Sequence, residues 1–224
     1  MAPKDQTLTA KAEKIIQRLI AEYGQPIWHT TGDPVEVLIG TFLSQNTSDV
    51  NSGRAFDALR ARFPTWEAVM TAPTEAVEET IRPGGLARSK APRIQAALRR
   101  IFQERGEFSL DFLKDMPLDQ AKAWLQSLHG VGAKTAAIVL LFSLGRPVFP
   151  VDTHIHRISR RIGIVSSSAT PEQTEAAWES LVSPKYYYPL HINLIRHGRE
   201  VCKAREPRCH VCVLQDLCDY YLSA

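Results

Sequence analysis

Apolar residues recur at helical spacing along almost the whole chain, and glycine or proline interrupts that pattern at short intervals. Segments 15–23 and 35–43 each space their apolar residues three or four positions apart, as one helix face requires. No sustained alternation indicates a sheet, and two short apolar runs, 148–151 and 162–165, are interpreted as extended connections. The breaks divide the chain into roughly ten short helices, so the sequence predicts an all-α fold. They lie at Gly24, Pro64, Pro73, Pro83 to Gly85, Gly106, Gly145 and Pro147.

Helix start signals agree with this prediction. Asp33 and Thr65 each precede a helical pattern, and both are favoured N-cap residues. Thr170 lies three residues before Gln173, which is the spacing of a capping box. These positions are therefore predicted to begin helices.

Size and composition set outer limits on the function. With 224 residues, of which 44% are hydrophobic, the chain can bury a substantial core in one or two compact units. The formal net charge of +3 permits an anionic partner without requiring one. Segment 1–11 is short and polar, and no apolar run is long enough to span a bilayer. We expect a cytoplasmic protein, associated with the nucleoid if its source is bacterial, that has no membrane partner and works as a monomer.

A turn with two glycines separates two predicted apolar helices, 117–128 and 133–144. The glycines allow backbone conformations that other residues avoid, and the valine between them can point inward and fix the turn. Backbone amides then face outward at the start of the second helix, where unsatisfied N–H groups suit a DNA phosphate. An ordinary connector has the same spacing, so both interpretations stay open. The candidate DNA contacts in this turn are His129, Gly130, Val131 and Gly132.

Lys134 follows this turn directly, in the first turn of the second helix. Taken alone, it is explained as a solvated or phosphate-pairing lysine. Asp152 stands where a later helix should begin, and an N-cap is its simplest role. Together the glycine turn, the lysine and the acid form a specific constellation. A neutral amine can attack a sugar C1′ and form a Schiff base, and a carboxylate can stabilise positive charge on that sugar.

All four cysteines fall between 202 and 218, so they cannot form a disulfide framework spread over the fold. Six, two and five residues separate successive cysteines, and thiolates at such separations can converge on one centre. Structural zinc and a [4Fe–4S] cluster both take four thiolates, and ligand chemistry alone leaves the two open. A site closed by four cysteines has no position for water activation, which indicates structural support. The ligand candidates are Cys202, Cys209, Cys212 and Cys218.

The loop between the first two cysteines carries Lys203, Arg205 and Arg208, which makes it the strongest candidate for a DNA phosphate footprint. A solvated surface is the alternative for any single residue. Phosphate contacts from the loop would make DNA binding strongly salt-dependent. Supporting basic residues lie at Arg157, Arg160, Arg161, Arg196 and Arg199.

From Ile15 to Cys218, the glycine turn, the Val-Asp-Thr-His stretch and the cysteine spacing resemble the helix-hairpin-helix DNA glycosylases, and among them the endonuclease III family. The resemblance implies that Lys134 is the nucleophile, that Asp152 is the essential carboxylate and that the cysteines hold a [4Fe–4S] cluster. Superfamily members that only release the base usually lack this lysine. The resemblance therefore implies a bifunctional glycosylase and AP lyase that removes oxidised pyrimidines from double-stranded DNA and cleaves abasic sites by β-elimination.

A base inside a duplex must be flipped out before a nucleophile can reach its sugar, and the vacated space must be filled. Stretches 43–49 and 84–90 resemble the filling loops of this family. Leu86 suits an apolar wedge, and Gln45 or Asn46 suits an amide contact to the orphan base.

The resemblance also implies two helical modules with the active site in the cleft between them. Residues 28–146 would form a six-helix barrel that carries the helix-hairpin-helix, and residues 1–27 with 147–224 would form a discontinuous cluster domain. Lys134 and Asp152 would face each other across the cleft. The rival interpretations are a mismatch or adenine glycosylase, which Lys134 disfavours, and a non-catalytic DNA-binding module with structural metal. An electron-transfer protein would leave both residues without a role.

Overall fold

The computed structural model of this protein describes the backbone of residues 3–223 and the side chains from residue 7 onward. Every regular element within these residues is helical, which confirms the predicted all-α fold class. The α-helices are α1 (Pro3–Tyr23), α2 (Pro34–Ser44), α3 (Asp49–Arg62), α4 (Trp66–Thr71), α5 (Thr74–Ile81), α6 (Ala87–Arg105), α7 (Leu118–Gln126), α8 (Ala133–Ile138), α9 (Thr153–Arg161), α10 (Pro171–Leu181), α11 (Tyr187–Glu200) and α12 (Asp219–Leu222). No described helix is both long and apolar enough to cross a membrane.

The predicted helix starts are confirmed by their capping bonds. Asp33 accepts the backbone N–H of Val35 at 2.8 Å, and Thr65 caps α4 in the same way. Thr170 and Gln173 form the predicted capping box, in which each side chain accepts the other residue's backbone N–H, at 3.2 and 2.9 Å. Local polar side chains therefore satisfy the first amides of these helices, as their sequence positions indicate.

Two local predictions need correction. Segment 162–165 is a turn instead of an extended connection, because Gly163 takes a positive φ of 73° as α9 ends. The predicted helix 133–144 is α-helical only to Ile138, and residues Val139–Ser143 continue it as a π-helical turn. Segment 148–151 has no regular secondary structure, in agreement with the prediction.

The described chain divides into two compact units. One runs from Thr30 to Arg146 and contains α2 to α8. In it, α6 packs against α2, α4 and α5, while α7 and α8 pack against each other as a helical hairpin. Its fully buried side chains include Leu38, Phe42 and Ile94.

The other unit joins the described residues up to His29 to those from Pro147 onward. Here α1 packs against α10 and α11, and α9 packs against α10, α11 and α12. The fully buried side chains of this unit include Ile15, Trp178 and Leu194. Residues 1, 2 and 224, which belong to the predicted cluster module, lie outside the described residues.

Candidate active site and metal centre

The turn between α7 and α8 depends on one glycine. Gly130 has a φ of +88°, a left-handed value that favours glycine. A Cβ at this position would also lie 2.8 Å from Cδ of Arg93 and 3.2 Å from Cε1 of Phe42. Val131 is buried, and its N–H donates to the carbonyl of Leu128 at 3.0 Å. The prediction that a glycine and an inward valine fix the turn is confirmed for these two residues.

The second glycine of the turn behaves differently. Gly132 has φ −93° and ψ −179°, an extended conformation open to any residue, and a Cβ there would meet no atom within 4 Å. The prediction that both glycines need a restricted conformation is therefore wrong for Gly132. Gly132 is the N-cap of α8 and has no side chain that could bond the first amides of this helix. These amides are therefore left uncovered.

Lys134 is exposed and is the second residue of α8. Its position is set by the turn before it and by the first helical bond, in which Ala136 donates to the carbonyl of Gly132 at 3.0 Å. His129, the first residue of the predicted contact segment, is also exposed.

Asp152 is the N-cap of α9, as its simplest interpretation predicts. Its Oδ1 accepts the N–H of Ile155 at 2.8 Å, which holds the carboxylate in one orientation at the helix start. The neighbouring histidines have structural partners: His154 contacts Arg157 at 3.1 Å, and His156 contacts Thr174 at 2.8 Å. Lys134 and Asp152 belong to different compact units, and their facing each other stays a prediction.

The two candidate filling loops carry unusual backbone conformations. Asn46 is exposed with a φ of +53°, and Leu86 is 56% exposed with a φ of +52°. Non-glycine residues rarely adopt such angles, and the strain tends to occur at functional sites. Gln45 is placed otherwise, because its Nε2 donates to the carbonyl of Gly130 at 3.1 Å and so links the first loop to the glycine turn. Sequence spacing gives no signal for this link.

The four cysteines line one pocket of the second unit, together with apolar side chains such as Ile158, Ile162 and Val201. None of the four forms a disulfide. Within the described part of the chain, no three His, Cys, Asp or Glu side chains converge closely enough to hold a single metal ion. Four thiols that line one apolar pocket fit a group that takes four thiolates, as both structural zinc and a [4Fe–4S] cluster do.

The pocket requires a compensating positive charge for its thiolates. Burial raises the pKa of Cys212 to about 11, and burial also raises the pKa of Cys218. Both thiols therefore stay protonated unless bound iron supplies the positive charge that stabilises their thiolates in place of water. His197 lies against Cys212, with Nε2 3.5 Å from Sγ, and burial lowers the pKa of this imidazole to about 4. A neutral ring thus contacts the sulfur of Cys212.

The basic residues near the cysteines fall into two groups. Lys203, Arg205 and Arg208 are exposed, as a phosphate footprint requires. Arg157 and Arg161, predicted as supporting contacts, direct their donors into the protein. The Arg157 guanidinium bonds the carbonyls of Gly198 and Cys202, and that of Arg161 bonds the carbonyls of Lys203 and Ala204. The last turn of α11 and the irregular loop after it have carbonyls without a helical partner, and these arginines satisfy them.

Comparisons with known proteins agree with this arrangement. Residues 39–184 match the family model of the HhH-GPD superfamily base excision DNA repair proteins, and residues 202–218 match that of the iron-sulfur binding domain of endonuclease III. Endonuclease III of Thermotoga maritima is 34% identical over 209 residues, which cover 93% of this chain and 92% of that protein. Endonuclease III of Escherichia coli K12 is 34% identical over 212 residues, which cover 94% and 96%.

The fold is similar to that of a trapped endonuclease III–DNA covalent intermediate. The TM-score is 0.83 at 26% sequence identity, and the match covers 96% of this chain and 97% of that one. A non-covalent endonuclease III–DNA complex matches with a TM-score of 0.81 at 25% identity, over 96% of this chain and 97% of that one.

These matches decide alternatives that the residues left open. The cofactor is a [4Fe–4S] cluster, since the cysteine segment matches the iron-sulfur binding domain. The protein is a DNA glycosylase/AP lyase and not a non-catalytic binding module. The chain belongs to the endonuclease III family of the HhH-GPD base excision DNA repair proteins.

Proposed function

We propose that this protein, acting as a monomer, removes oxidised pyrimidines from duplex DNA and then cleaves the strand by β-elimination, with Lys134 as the nucleophile. The main support for the proposal is the position of Lys134. It is exposed at the N-terminus of α8, which no side chain caps, and it follows the glycine turn in the sequence. In this position the amine and the phosphate-binding amides are set by the same rigid turn. A nucleotide anchored by its phosphate therefore presents its sugar at a fixed distance from Nζ.

The chemistry follows from an amine nucleophile. The neutral Nζ forms a bond to C1′ while the base leaves with the electron pair of the glycosidic bond and takes up a proton. Ring opening gives a Schiff base, which acidifies the C2′ proton. Loss of that proton forms a double bond between C2′ and C3′ and expels the 3′ phosphate, so the strand is cut. The same lysine can therefore serve both the base-release step and the elimination step.

Asp152 is proposed to stabilise the positive charge that develops on the sugar as the base departs. Its cap bond to Ile155 orients the carboxylate before the substrate arrives, so no reorganisation is needed during the reaction. We therefore assign Asp152 to charge stabilisation first.

The remaining contacts are proposed to hold the opened duplex. Leu86 fills the space of the extruded nucleotide, and Asn46 contacts the orphan base. Gln45 supports the loop through its bond to Gly130, and this is the contact that the structure describes for its amide. Backbone amides of His129, Gly130 and Gly132 bind a phosphate on the damaged strand, while the N–H of Val131 bonds the Leu128 carbonyl inside the turn.

The cysteine pocket is proposed to hold the [4Fe–4S] cluster through Cys202, Cys209, Cys212 and Cys218. When bound, the cluster closes the loop covalently and gives no open site for hydrolysis. The exposed side chains of Lys203, Arg205 and Arg208 then have a fixed base from which to contact DNA phosphates.

Replacing the nucleophile tests the proposal directly. Lys134→Gln keeps the stem of the side chain and removes the amine, so borohydride trapping on abasic DNA should yield no covalent adduct. Denaturing gel electrophoresis measures the adduct. Lys203→Gln is the matched control, because Lys203 is also exposed but should lower only DNA affinity. An adduct from Lys134→Gln at the wild-type rate would refute the assignment.

The charge of Asp152 can be separated from its capping role. Asn is as good an N-cap as Asp, so Asp152→Asn should keep the free energy of unfolding while base release slows by about 10²–10³-fold, the range for one preorganised electrostatic group. Asp152→Ala loses the cap as well and should also cost about 1 kcal/mol of stability. Urea denaturation and single-turnover excision measure the two effects. Equal rates in Asp152→Asn and the wild type would exclude a role for the charge.

The two turn glycines should respond differently to alanine. Gly130→Ala strains a positive φ and crowds Arg93, so it should destabilise the protein by about 1–2 kcal/mol or more. Gly132→Ala meets no protein atom, so stability should change by less than about 0.5 kcal/mol while DNA affinity falls. Denaturation and fluorescence anisotropy with abasic-analogue DNA measure these quantities. Unchanged DNA binding by Gly132→Ala would contradict phosphate binding at this turn.

Loss of the cluster should lower the stability of the protein, because the cluster is proposed to support the structure and not to take part in the reaction. Cys212→Ser removes a half-buried thiol ligand, so iron content and visible absorbance should fall and the thermal unfolding temperature should drop. Lys203→Ala, in the same loop but exposed, should keep full iron and lose DNA affinity, most clearly at low salt. Full iron content in Cys212→Ser would exclude this residue as a ligand.

A further inference from the structure

A buried lysine joins the stems of the two candidate filling loops. Lys90, in the first turns of α6, is only 1% exposed although lysine is almost never fully buried without a partner. Its Nζ donates to the carbonyl of Leu43 at 2.7 Å and to the carbonyl of Gly84 at 2.8 Å. No sequence motif marks this residue, and neither the base-release step nor the elimination step uses it.

Both carbonyls lie at helix ends, where backbone acceptors lack a helical partner. Leu43 is in the last turn of α2, and Gly84 ends the 3₁₀ turn Arg82–Gly84. Cations are favoured near helix C-termini, so the ammonium serves as one cap shared by two elements. The stems are also in close contact, since a Cβ at Gly84 would lie 3.0 Å from Cβ of Ala55 and 3.7 Å from the Leu43 carbonyl.

The strained residues follow the capped carbonyls within a few positions. Asn46 comes three residues after Leu43, and Leu86 comes two residues after Gly84. These are two of the three non-glycine residues with positive φ in the described chain. Strained backbone persists only where its surroundings hold it, and the ammonium of Lys90 holds both stems.

We infer that Lys90 is a positioning residue that ties the two loops into one unit, so that Leu86 and Asn46 enter the opened duplex together. The inference rests on the proposed DNA-filling role of these loops. Burial lowers the pKa of Lys90, as expected for an ammonium held by carbonyl groups alone. Without the ammonium, two buried carbonyls lose their donor and each loop can move separately.

The test uses Lys90→Met with Gln95→Met as its matched control. Gln95 lies on the same helix, is also 1% exposed, and its Nε2 likewise donates to two carbonyls, those of Val69 and Ala72. These carbonyls belong to the end of α4 and not to the filling loops. The Oε1 of Gln95 also accepts a hydrogen bond from Oγ1 of Thr74 at 2.7 Å. Gln95→Met therefore loses at least as many hydrogen bonds as Lys90→Met, but only Lys90→Met releases the loops.

Single-turnover excision is measured on an oxidised pyrimidine opposite its normal partner and opposite an abasic analogue. The second duplex needs neither unpairing nor an orphan-base contact, so it depends less on the loops. For Lys90→Met, the ratio of the paired rate to the unpaired rate should fall about tenfold, equivalent to about 1.4 kcal/mol of barrier. For Gln95→Met this ratio should equal that of the wild type. An unchanged ratio in Lys90→Met, or an equal fall in both variants, would overturn the inference.

A binding measurement keeps the inference separate from catalysis. The fluorescence of 2-aminopurine, placed as the orphan base opposite a tetrahydrofuran abasic analogue, reports its displacement at saturating protein. Lys90→Met should lower this signal relative to the wild type and Gln95→Met, and equal signals would overturn the inference. A wild type that excises nothing from either duplex would refute the proposed function, while the fluorescence comparison still decides the role of Lys90. If Lys90→Met does not fold, Lys90→Gln, which keeps an N–H donor, is compared by the same two readouts.

Discussion

The close packing around Gly130 is the contact on which the helical hairpin of α7 and α8 depends. The glycine has a left-handed φ, and Arg93 of α6 and Phe42 of α2 approach the space where a side chain would stand. Its carbonyl also accepts a hydrogen bond from Nε2 of Gln45. The α7–α8 hairpin, α6 and the loop after α2 thus meet at this one glycine. The start of α8, and with it Lys134, is fixed by the same contact.

Charged side chains organise the irregular segments, where no helix supplies backbone partners. Lys90 caps two helix ends in one unit, and Arg157 and Arg161 satisfy loop carbonyls in the other. Each is a long side chain whose stem can be buried while its donors reach several acceptors. The basic residues therefore fall into two groups, since the side chains of Lys203 and Arg205 are exposed instead.

Local features of the fold could be read from the sequence because their causes are local. The caps at Asp33 and Thr170 join residues two or three positions apart, and the helical periodicity reports burial directly. The links from Lys90 to Leu43 and from Gln45 to Gly130 could not be predicted, because the partners lie 47 and 85 residues apart in the sequence. Spacing alone also could not show which of the two turn glycines has a positive φ. A glycine in extended backbone and a glycine with positive φ are the same letter in the sequence. The facing of Lys134 and Asp152 came only from the family resemblance and stays a prediction.

One amine, positioned by the glycine turn, is proposed to bond covalently to the deoxyribose. Mass spectrometry of the wild-type protein after borohydride reduction on damaged duplex DNA can identify that amine, because digestion locates the modified residue. The sugar remnant should be found on the peptide that contains Lys134, and on Nζ of that residue. A remnant on any other amine of the chain would refute the assignment of Lys134.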